Sequence, residues 1–228
     1  MTPQELLRLH PFFSGLSAGD IDKLAARSSS RRLPAGRLVF HKGAPGDGLY
    51  GVLSGRIAFT MNSLEGRTLT LNALGPGEFF GEIALLDGKE RTADATAATD
   101  CELLIVPRRS LFSLLERRPD LCIDLLVVLC ERLRRTNEQV EDLAFLDLEA
   151  RIAKVLVRLA EENGAGQSRT RPVGVKISQR ALGELVGGSR ESVNKHLQDW
   201  KRSGFIAIEK GSIVIHDIEA LADLGADV

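Results

Sequence analysis

A stretch from Pro119 to Phe145, which has no glycine and no proline after its first residue, most limits what this chain can fold into. Along it, seam residues recur at alternating spacings of four and three, the heptad pattern of a helix that pairs with another helix. These seam residues are Cys122, Leu126, Leu129, Leu133, Thr136, Val140 and Leu143. About three heptads are too few for a fibrous coiled coil, so the pattern predicts a long helix that joins two copies of the chain.

We predict a homodimer interface formed by Leu126, Leu129, Leu133, Val140 and Leu143. The alternative is that the same apolar stripe packs on a core of its own domain. Thr136 is polar at a seam position, and Asn137 lies beside it. This part of the seam therefore either sets the register of the two helices or faces a polar ligand at the subunit junction.

The segment before this helix consists of short apolar stretches separated by glycine turns. The stretches are 37–41, 49–53, 56–61, 68–73, 93–96 and 102–106. The turns contain Pro45-Gly46-Asp47-Gly48, Glu65-Gly66, Gly75-Pro76-Gly77 and Asp87-Gly88. This alternation predicts an antiparallel barrel or sandwich. Ahead of it, Ser17 with Asp20 three residues later predicts the cap of a short helix.

The last third of the chain predicts two short helices joined by a glycine turn. A helix over 149–162 stops at Asn163-Gly164, a loop rich in Gly, Ser and Arg continues to Pro172, and a strand follows over 173–177. Ser178 and Ser189 each cap one of the two helices, with Gly187-Gly188 between them. The closing segment 205–216 alternates about Lys210-Gly211 and predicts a two-stranded hairpin.

Charge is distributed unevenly along the chain although its net value is only −1. Residues 168–216 hold nine Lys and Arg against four Asp and Glu, a surplus of five positive charges, which leaves −6 elsewhere. In the second of the two helices, Val193, Leu197 and Trp200 form the apolar stripe, and the outward face is polar. That face carries Arg190, Glu191, Asn194, Lys195 and Gln198. Such side chains can read base edges in a major groove, so the pattern predicts a DNA-binding helix; the alternative is an ordinary solvated face.

The segment from Gly81 to Ala93 combines a glycine, an early helix carboxylate, a turn and Arg91. If a short helix begins at Gly81, its backbone N–H groups and the Arg91 guanidinium suit a phosphate, and Glu82 suits a sugar hydroxyl. On chemistry alone, a structural Glu–Arg pair explains these residues equally well.

Several other classes of function do not fit the sequence. A G-x-G-x-x-G match at 46–51 leads into a strand instead of a helix, and a G-x-S-x-G match at 15–19 has no strand before it, so neither indicates an enzyme. The three cysteines and four histidines are scattered, which predicts no metal site. The longest apolar run, 125–130, is too short to span a membrane, and residues 1–10 lack a secretory signal, so we expect a cytoplasmic protein.

At two places the sequence resembles a known family. Residues 80–86 with Arg91-Thr92-Ala93 resemble the phosphate-binding cassette of cyclic nucleotide-binding domains. Residues 143–147, followed by 189–193, resemble the Crp/Fnr family of transcription regulators, and the match extends over nearly the whole chain in the same order. The resemblance implies an α+β fold with an N-terminal antiparallel β-roll of the jelly-roll (double-stranded β-helix) type over 1–118. A dimerisation helix and hinge over 119–146 and a winged helix-turn-helix over 147–228 would follow.

The resemblance also implies roles for individual residues. Glu82 would bind the ribose 2′-hydroxyl, Arg91 and the N–H groups of Ile83 and Ala84 next to Gly81 the cyclic phosphate, and Thr92 the phosphate or base. Thr136 and Asn137 would bind the base. The residues that would contact DNA are Arg180, Ser189, Arg190, Glu191, Asn194 and Lys195. Lys195 stands where the family often has arginine, which puts bidentate guanine recognition there in question.

The function implied is a homodimer that binds a palindromic double-stranded DNA site under the control of a cyclic nucleotide and acts with RNA polymerase. Cyclic AMP (cAMP) is the expected effector, because Thr136 and Asn137 could serve adenine. Cyclic GMP (cGMP) is the alternative, because Thr92 offers a hydroxyl that can favour guanine. A regulator of the same architecture that needs no cyclic nucleotide, and a regulatory subunit that acts on a protein partner, also stay open.

Overall fold

The chain divides into two units, and the division falls inside the long helix. The computed structural model describes residues 1–63, 65, 68–162, 172–209 and 212–226. One unit comprises Met1–Gly66 and Leu71–Arg134, and the other comprises Arg67–Thr70 and Arg135–Val228. The domain limits expected from the sequence, 1–118, 119–146 and 147–228, remain predictions. Among the described residues, no helix is both long and apolar enough to cross a membrane.

Eight strands form two four-stranded sheets in the N-terminal half of the described chain. They are β1 (Ser29–Leu33), β2 (Leu38–Phe40), β3 (Gly48–Ser54), β4 (Ile57–Asn62), β5 (Thr68–Leu74), β6 (Phe79–Phe80), β7 (Asp94–Ala97) and β8 (Cys101–Pro107). The strand orders are β1-β8-β3-β6 and β2-β7-β4-β5. The pairs β1/β8, β3/β8, β3/β6, β2/β7 and β4/β7 are antiparallel, as the sequence predicts.

Strand β3 explains why the first sheet lies at the centre of this unit. Successive side chains of a strand point to opposite faces, and here both faces are buried. Tyr50 and Val52 belong to the core between the sheets, and Leu49 and Leu53 belong to the core under the helices. The sheet therefore has hydrophobic layers on both sides, which explains the almost continuous apolar run in the sequence.

Helices cover the outer face of that sheet. They are α1 (Pro3–Leu9), a 3₁₀ turn (Pro11–Phe13), α2 (Ala18–Ala26), α3 (Glu82–Asp87), α4 (Arg108–Arg117) and the first part of α5 (Leu121–Phe145). Thr2 begins α1 with a complete capping box to Glu5. Ser17 caps α2 by accepting a hydrogen bond from the Asp20 backbone N–H at 3.2 Å, as predicted.

The second unit is built around four helices and a small sheet among its described residues. Its elements after α5 are α6 (Leu148–Glu162), β9 (Val173–Val175), α7 (Gln179–Val186), α8 (Arg190–Arg202), β10 (Ile206–Glu209), β11 (Ser212–Ile215) and α9 (Ile218–Ala226). The sheet order is β10-β11-β9, and both pairs are antiparallel. Ser178 and Ser189 cap α7 and α8, and Gly187 ends α7 in the left-handed conformation. This is the predicted helix-turn-helix followed by a β-hairpin.

The predicted α+β fold is confirmed, and the differences are local. Strands β1 and β6 and helices α1, α4 and α9 were not predicted. Strand β1 is mostly polar, and β6 has two residues. Helices α1, α4 and α9 are shorter than the roughly 11 residues over which a helical period can be recognised. The predicted turns at Gly66 and Lys210-Gly211, and the helix stop and loop over 163–171, lie outside the described residues.

Candidate functional site

The guanidinium of Arg91 is buried at the centre of the predicted cassette. Only 3% of the residue is exposed, and its carbon Cζ lies 4.2 Å from the centre of the Phe40 ring. Nη1 donates to the Gly81 carbonyl at 2.6 Å, and Nη2 donates to the Gly48 carbonyl at 3.2 Å. Nε is buried and has no hydrogen-bond partner among the described residues. A buried positive charge with an unused donor is suited to an anionic ligand that supplies a further acceptor.

Asp47 supplies the negative charge that faces Arg91. Its Oδ1 accepts from Arg91 Nη2 at 2.9 Å and from the Tyr50 hydroxyl at 3.0 Å, while 68% of the Asp47 side chain is exposed. Burial of the Tyr50 hydroxyl, together with the Asp47 charge and hydrogen bond, raises the pKa of Tyr50 to about 12. The Arg91 charge is thus balanced from the solvent side, where a ligand can also approach.

Two glycines allow the chain segments to approach each other around Arg91. Gly81 has φ +86°, and a Cβ atom there would lie 2.5 Å from Arg91 Nη1. A Cβ on Gly46 would lie 2.5 Å from the Ala84 carbonyl oxygen in the first turn of α3. The G-x-G-x-x-G match at 46–51 is therefore part of the cassette's wall, and its glycines are needed for packing.

Glu82 is the second buried charge of the cassette, and its partner is on α5. Glu82 is 4% exposed, and its Oε1 accepts from Arg132 Nη1 at 2.5 Å. Arg132 also donates to the carbonyl of Phe79. The helix α5 is thereby joined to the segment that holds the cassette. The structural Glu–Arg pair considered from the sequence thus exists, but it joins Glu82 to Arg132 instead of Arg91.

The remaining cassette residues differ in their exposure. Helix α3 begins directly after Gly81, so that the predicted short helix is present at Glu82–Asp87. Ile83 is 48% exposed, Ala84 is buried at 2%, and Thr92 is exposed. The structure thus brings Gly81, Glu82, Ala84 and Arg91 together, and a ligand role for these four, Ile83 and Thr92 stays a prediction.

The seam of α5 is largely uncovered in the single chain. Leu126, Leu133, Val140 and Leu143 are 45–61% exposed. Leu129 differs from these four, because it is partly buried against the core of the N-terminal unit. The alternative considered from the sequence, packing on the chain's own core, therefore describes Leu129 in part but not the other four. Thr136 and Asn137 follow Leu133 on the same helix and are both exposed.

The predicted DNA-reading residues lie on the outward face of α8. Val193, Leu197 and Trp200 are buried at 0–3% and attach this helix to the core of the second unit. Arg190, Glu191 and Lys195 are exposed, and Arg180 is exposed while its Nε donates to Glu184 at 3.0 Å. The Ser189 oxygen caps α8 by accepting from the Ser192 N–H. Asn194 is half-buried and bonded to neighbouring amides.

A partly buried hydrogen bond fixes the orientation of α8. Trp200 Nε1 donates to Glu149 Oε1 at 2.8 Å, and the other Glu149 oxygen lies 3.7 Å from His196 Nδ1. Because Glu149 is in the first turn of α6, this contact ties the start of α6 to the last turns of α8. An unpaired indole N–H in that position would be costly.

Sequence reasoning missed Asp47, Arg132 and Glu149. Asp47 belongs to a glycine segment that predicts a turn and matches a dinucleotide motif, and Arg132 lies beside the heptad seam. The available signal was the charge of these side chains: Asp47 is an acidic residue in a turn, and Arg132 is a basic residue beside the seam. Within the part of the chain that the structure describes, no cluster of three or more His, Cys, Asp or Glu could hold a metal ion.

Comparisons with known proteins match both halves of the chain. Residues 30–118 match the family described as cyclic nucleotide-binding domain, and residues 150–224 match the Crp-like helix-turn-helix domain. The CRP-like cAMP-activated global transcriptional regulator of Mycobacterium tuberculosis is 37% identical over 218 residues, which are 96% of this chain and 97% of that protein. The cyclic AMP receptor protein of Thermus thermophilus is 33% identical, over 94% of this chain and 96% of that protein.

A solved structure also has the same fold. The c-di-GMP responsive global regulator CLP of Xanthomonas campestris aligns with a TM-score of 0.78 at 30% identity, over 88% of this chain and 99% of that one. The similar proteins thus include regulators named for two different effectors.

Proposed function

The chain belongs to the Crp/Fnr family of transcription regulators, and we propose that it is a homodimer whose affinity for a roughly palindromic DNA site is controlled by cAMP. That it is a cyclic nucleotide-binding, DNA-binding regulator and not an enzyme follows from the family. The effector, the dimer and the form of the DNA site are the proposal.

The environment of Arg91 is the observation that carries the effector part. A buried guanidinium with an unpaired Nε suits the single negative charge of a cyclic phosphate. In the proposal, the phosphate takes the place of the exposed Asp47 carboxylate, which pairs with Arg91 here. In the proposal, Ile83 and Ala84 N–H groups complete the phosphate contacts and Glu82 receives the ribose 2′-hydroxyl. Because Glu82 is bonded to Arg132, a ribose at Glu82 also acts on α5.

The uncovered seam supports the dimer. Four large aliphatic side chains at heptad positions are about half exposed in the single chain. Pairing α5 with its copy would bury them, at roughly 25 cal/mol for each Å² of apolar surface. It would also bring two copies of Thr136 and Asn137 to the junction, where we propose that they bind the base.

The helix-turn-helix supports the DNA part. In a two-fold symmetric dimer the two α8 helices would enter successive major grooves, about 34 Å apart. Arg180, Arg190, Glu191 and Lys195 are exposed for this contact. We expect the protein to act in the cytoplasm together with RNA polymerase.

The choice of effector needs a direct competition. Two relatives support cAMP, because the Mycobacterium tuberculosis and Thermus thermophilus proteins are both named for it. Cyclic GMP remains the alternative because of Thr92. The similarity to a regulator named as c-di-GMP responsive makes that dinucleotide a third candidate. Calorimetric titration with all three ranks them, and cAMP is expected to bind most tightly.

The phosphate role is tested with Arg91→Lys, which keeps the charge and removes the forked donor. We expect cAMP affinity to fall about 10- to 100-fold, because hydrogen bonds to a charged ligand are lost. Arg32→Lys is the matched control, since the Arg32 side chain is 85% exposed on β1. Full cAMP affinity in Arg91→Lys, with an unchanged melting temperature, would contradict the phosphate role.

The DNA role is tested by gel shifts on random duplexes with and without cAMP. We expect cAMP-dependent binding with a steep salt dependence, because phosphate contacts release counterions. DNA binding without any nucleotide effect would favour the effector-independent regulator. Cyclic nucleotide binding without salt-sensitive DNA affinity would favour a regulatory subunit that acts on a protein.

A further inference from the structure

Three amide side chains meet where α7 approaches the outward face of α8. Asn194 Oδ1 accepts a hydrogen bond from Gln179 Nε2 at 2.9 Å and a longer one from Gln198 Nε2 at 3.4 Å. We call Gln179, Asn194 and Gln198 the amide cluster. Gln179 is the first residue of α7, whose start is fixed by the Ser178 cap. The cluster therefore joins the two helices of the helix-turn-helix on their exposed side.

Asn194 lies in the middle of the face that the proposed function places in the major groove. With about 100° per residue, Asn194 is about 40° around the helix axis from Arg190 and about 60° from Glu191. The buried Leu197 and Val193 lie about 60° and about 100° around the axis from Asn194, in the direction away from Glu191. Gln179 covers part of Asn194, which explains why this residue is half-buried while Arg190 and Glu191 are exposed.

The hydrogen bonds of the amide cluster occupy the carbonyl oxygen of Asn194 and leave its amino group available for DNA. Its carbonyl oxygen already accepts hydrogen bonds from two amides. Within the amide cluster, its own Nδ2 donates no hydrogen bond to a described residue. A free asparagine recognises adenine in two ways at once, by accepting from N6 and donating to N7. With the carbonyl occupied, that two-bond recognition is blocked and only the donor remains.

We propose that Gln179 makes Asn194 a donor-only reader, so that Asn194 prefers guanine to adenine at one step of the DNA half-site. Guanine presents two acceptors, O6 and N7, in the major groove, whereas adenine keeps N7 but presents an amino group in place of O6, and cytosine presents only an amino group. Thymine presents O4 alone beside its methyl group, so guanine is preferred. Asn194 is then a specificity-determining residue, and Gln179 is its positioning residue. This inference rests on the proposed function, which puts α8 in the major groove.

The step that Asn194 reads is found by selection and then tested chemically. The full chain with saturating cAMP selects its site from random duplexes, and Asn194→Ala identifies the step at which base preference is lost. We expect guanine at that step in the wild type. Replacing this guanine by 7-deazaguanine should weaken wild-type binding about fivefold, the effect of about one net hydrogen bond. The same replacement should leave the affinity of Asn194→Ala unchanged.

Substitutions at Gln179 test whether the amide cluster sets this preference. In Gln179→Glu the carboxylate accepts from Asn194 Nδ2, which turns the Asn194 carbonyl outward, so the preferred base on that strand should change from guanine to cytosine or adenine. Gln179→Met has similar length and no polar group, so adenine should become tolerated. Arg180→Gln is the control, since it changes the charge by the same amount and should lower affinity for all sequences without changing the preferred base.

The possible outcomes distinguish failure of the donor-only role from failure of the proposed function. An A·T consensus at the Asn194 step, or the wild-type preference retained in both Gln179 variants, would overturn the donor-only role. Loss of all preference in wild type and Asn194→Ala alike would also overturn it. If the wild type binds no duplex with or without nucleotide, the proposed function itself fails. Trp200 fluorescence and the melting temperature show whether each variant is folded.

Discussion

Arg91 and Asp47 show how the chemistry of one side chain depends on residues far away in the sequence. Arg91 was identified from its local motif, but Asp47, which faces it, is 44 residues earlier. Arg132, which holds Glu82, is 50 residues later in the chain. Charge–charge partners at such separations depend on the packing of β3, α3 and α5, for which a single sequence contains no local signal. The sequence therefore points to candidate ligand residues, whose role stays a prediction, but not to their charge partners.

Tyr50 gives the first prediction, because it is the only tyrosine of the chain. Its hydroxyl should titrate with a pKa of about 12, against about 10 in the unfolded chain. Since folding raises this pKa, the contribution to stability is fully present below pH 10 and is lost as the pH rises through 12. Ultraviolet absorbance of the phenolate measures it directly. Asp47→Asn should lower the pKa of Tyr50, because the nearby negative charge is removed and the hydrogen bond from the hydroxyl is no longer charge-assisted. An unchanged pKa would contradict the Asp47–Tyr50 contact.

His10 gives the second prediction, at the other end of the pH range. Burial, and to a lesser degree the Arg132 charge, lower the pKa of His10 to about 4. Its Nδ1 accepts from the Phe12 N–H at 3.3 Å, so the neutral ring is the one that fits. The unfolded chain binds the proton more tightly, so this contribution to stability is present above pH 6.5 and lost as the pH falls toward 4.

The variant His10→Asn isolates that contribution. Asparagine can accept from the same N–H but does not titrate. Urea unfolding at several pH values should show a smaller loss of stability between pH 6.5 and 4 in the variant than in the wild type. Parallel curves for the two proteins would exclude His10 as the cause.

At the scale of the elements, local signals were sufficient where the structure depends on local contacts. Ser17, Ser178 and Ser189 cap helices as predicted, since a cap needs only the next three residues. Strand β1 was missed because Ser29, Ser30, Arg31 and Arg32 are polar and exposed, and only Leu33 is buried. Its place is set by pairing with β8, about 70 residues later, which hydrophobic periodicity does not show.

Helix α5 gives the third prediction. Leu133→Glu places a charge at an exposed seam position, and we expect the dimer to dissociate at concentrations where the wild type remains paired. Arg135→Glu is the matched control, because position 135 lies two residues away, about 200° around the helix from the seam. Sedimentation velocity measures the oligomeric state of each. A monomeric wild type, or a dimeric Leu133→Glu, would count against the seam as the interface.

At the scale of the whole molecule, the two units have separate hydrophobic cores. The sole tyrosine, Tyr50, is in the core of the first unit, and the sole tryptophan, Trp200, is in the core of the second. The order of the units along the chain followed from the change in sequence pattern and charge. Their division inside α5 could not be predicted, because the helical pattern is continuous through Arg134 and Arg135.

This separation gives the fourth prediction. A ligand that binds only the folded state stabilises it by about 2.7 kcal/mol at a concentration of 100 times its dissociation constant. Saturating cAMP should therefore raise the unfolding midpoint reported by Tyr50 absorbance more than the midpoint reported by Trp200 fluorescence. A specific DNA duplex should do the reverse. Equal shifts for both probes with each ligand would show that the units unfold as one.

Gly46 has a consequence for how loss of effector response would arise by mutation. It touches no ligand in the proposed function, yet any side chain there would meet the Ala84 carbonyl group. A genetic screen for alleles that no longer respond to the effector should therefore recover substitutions at Gly46 as well as at Arg91. Substitutions at Gly46 would displace the first turn of α3 without removing a ligand contact. The protein level in such strains should equal that of the wild type.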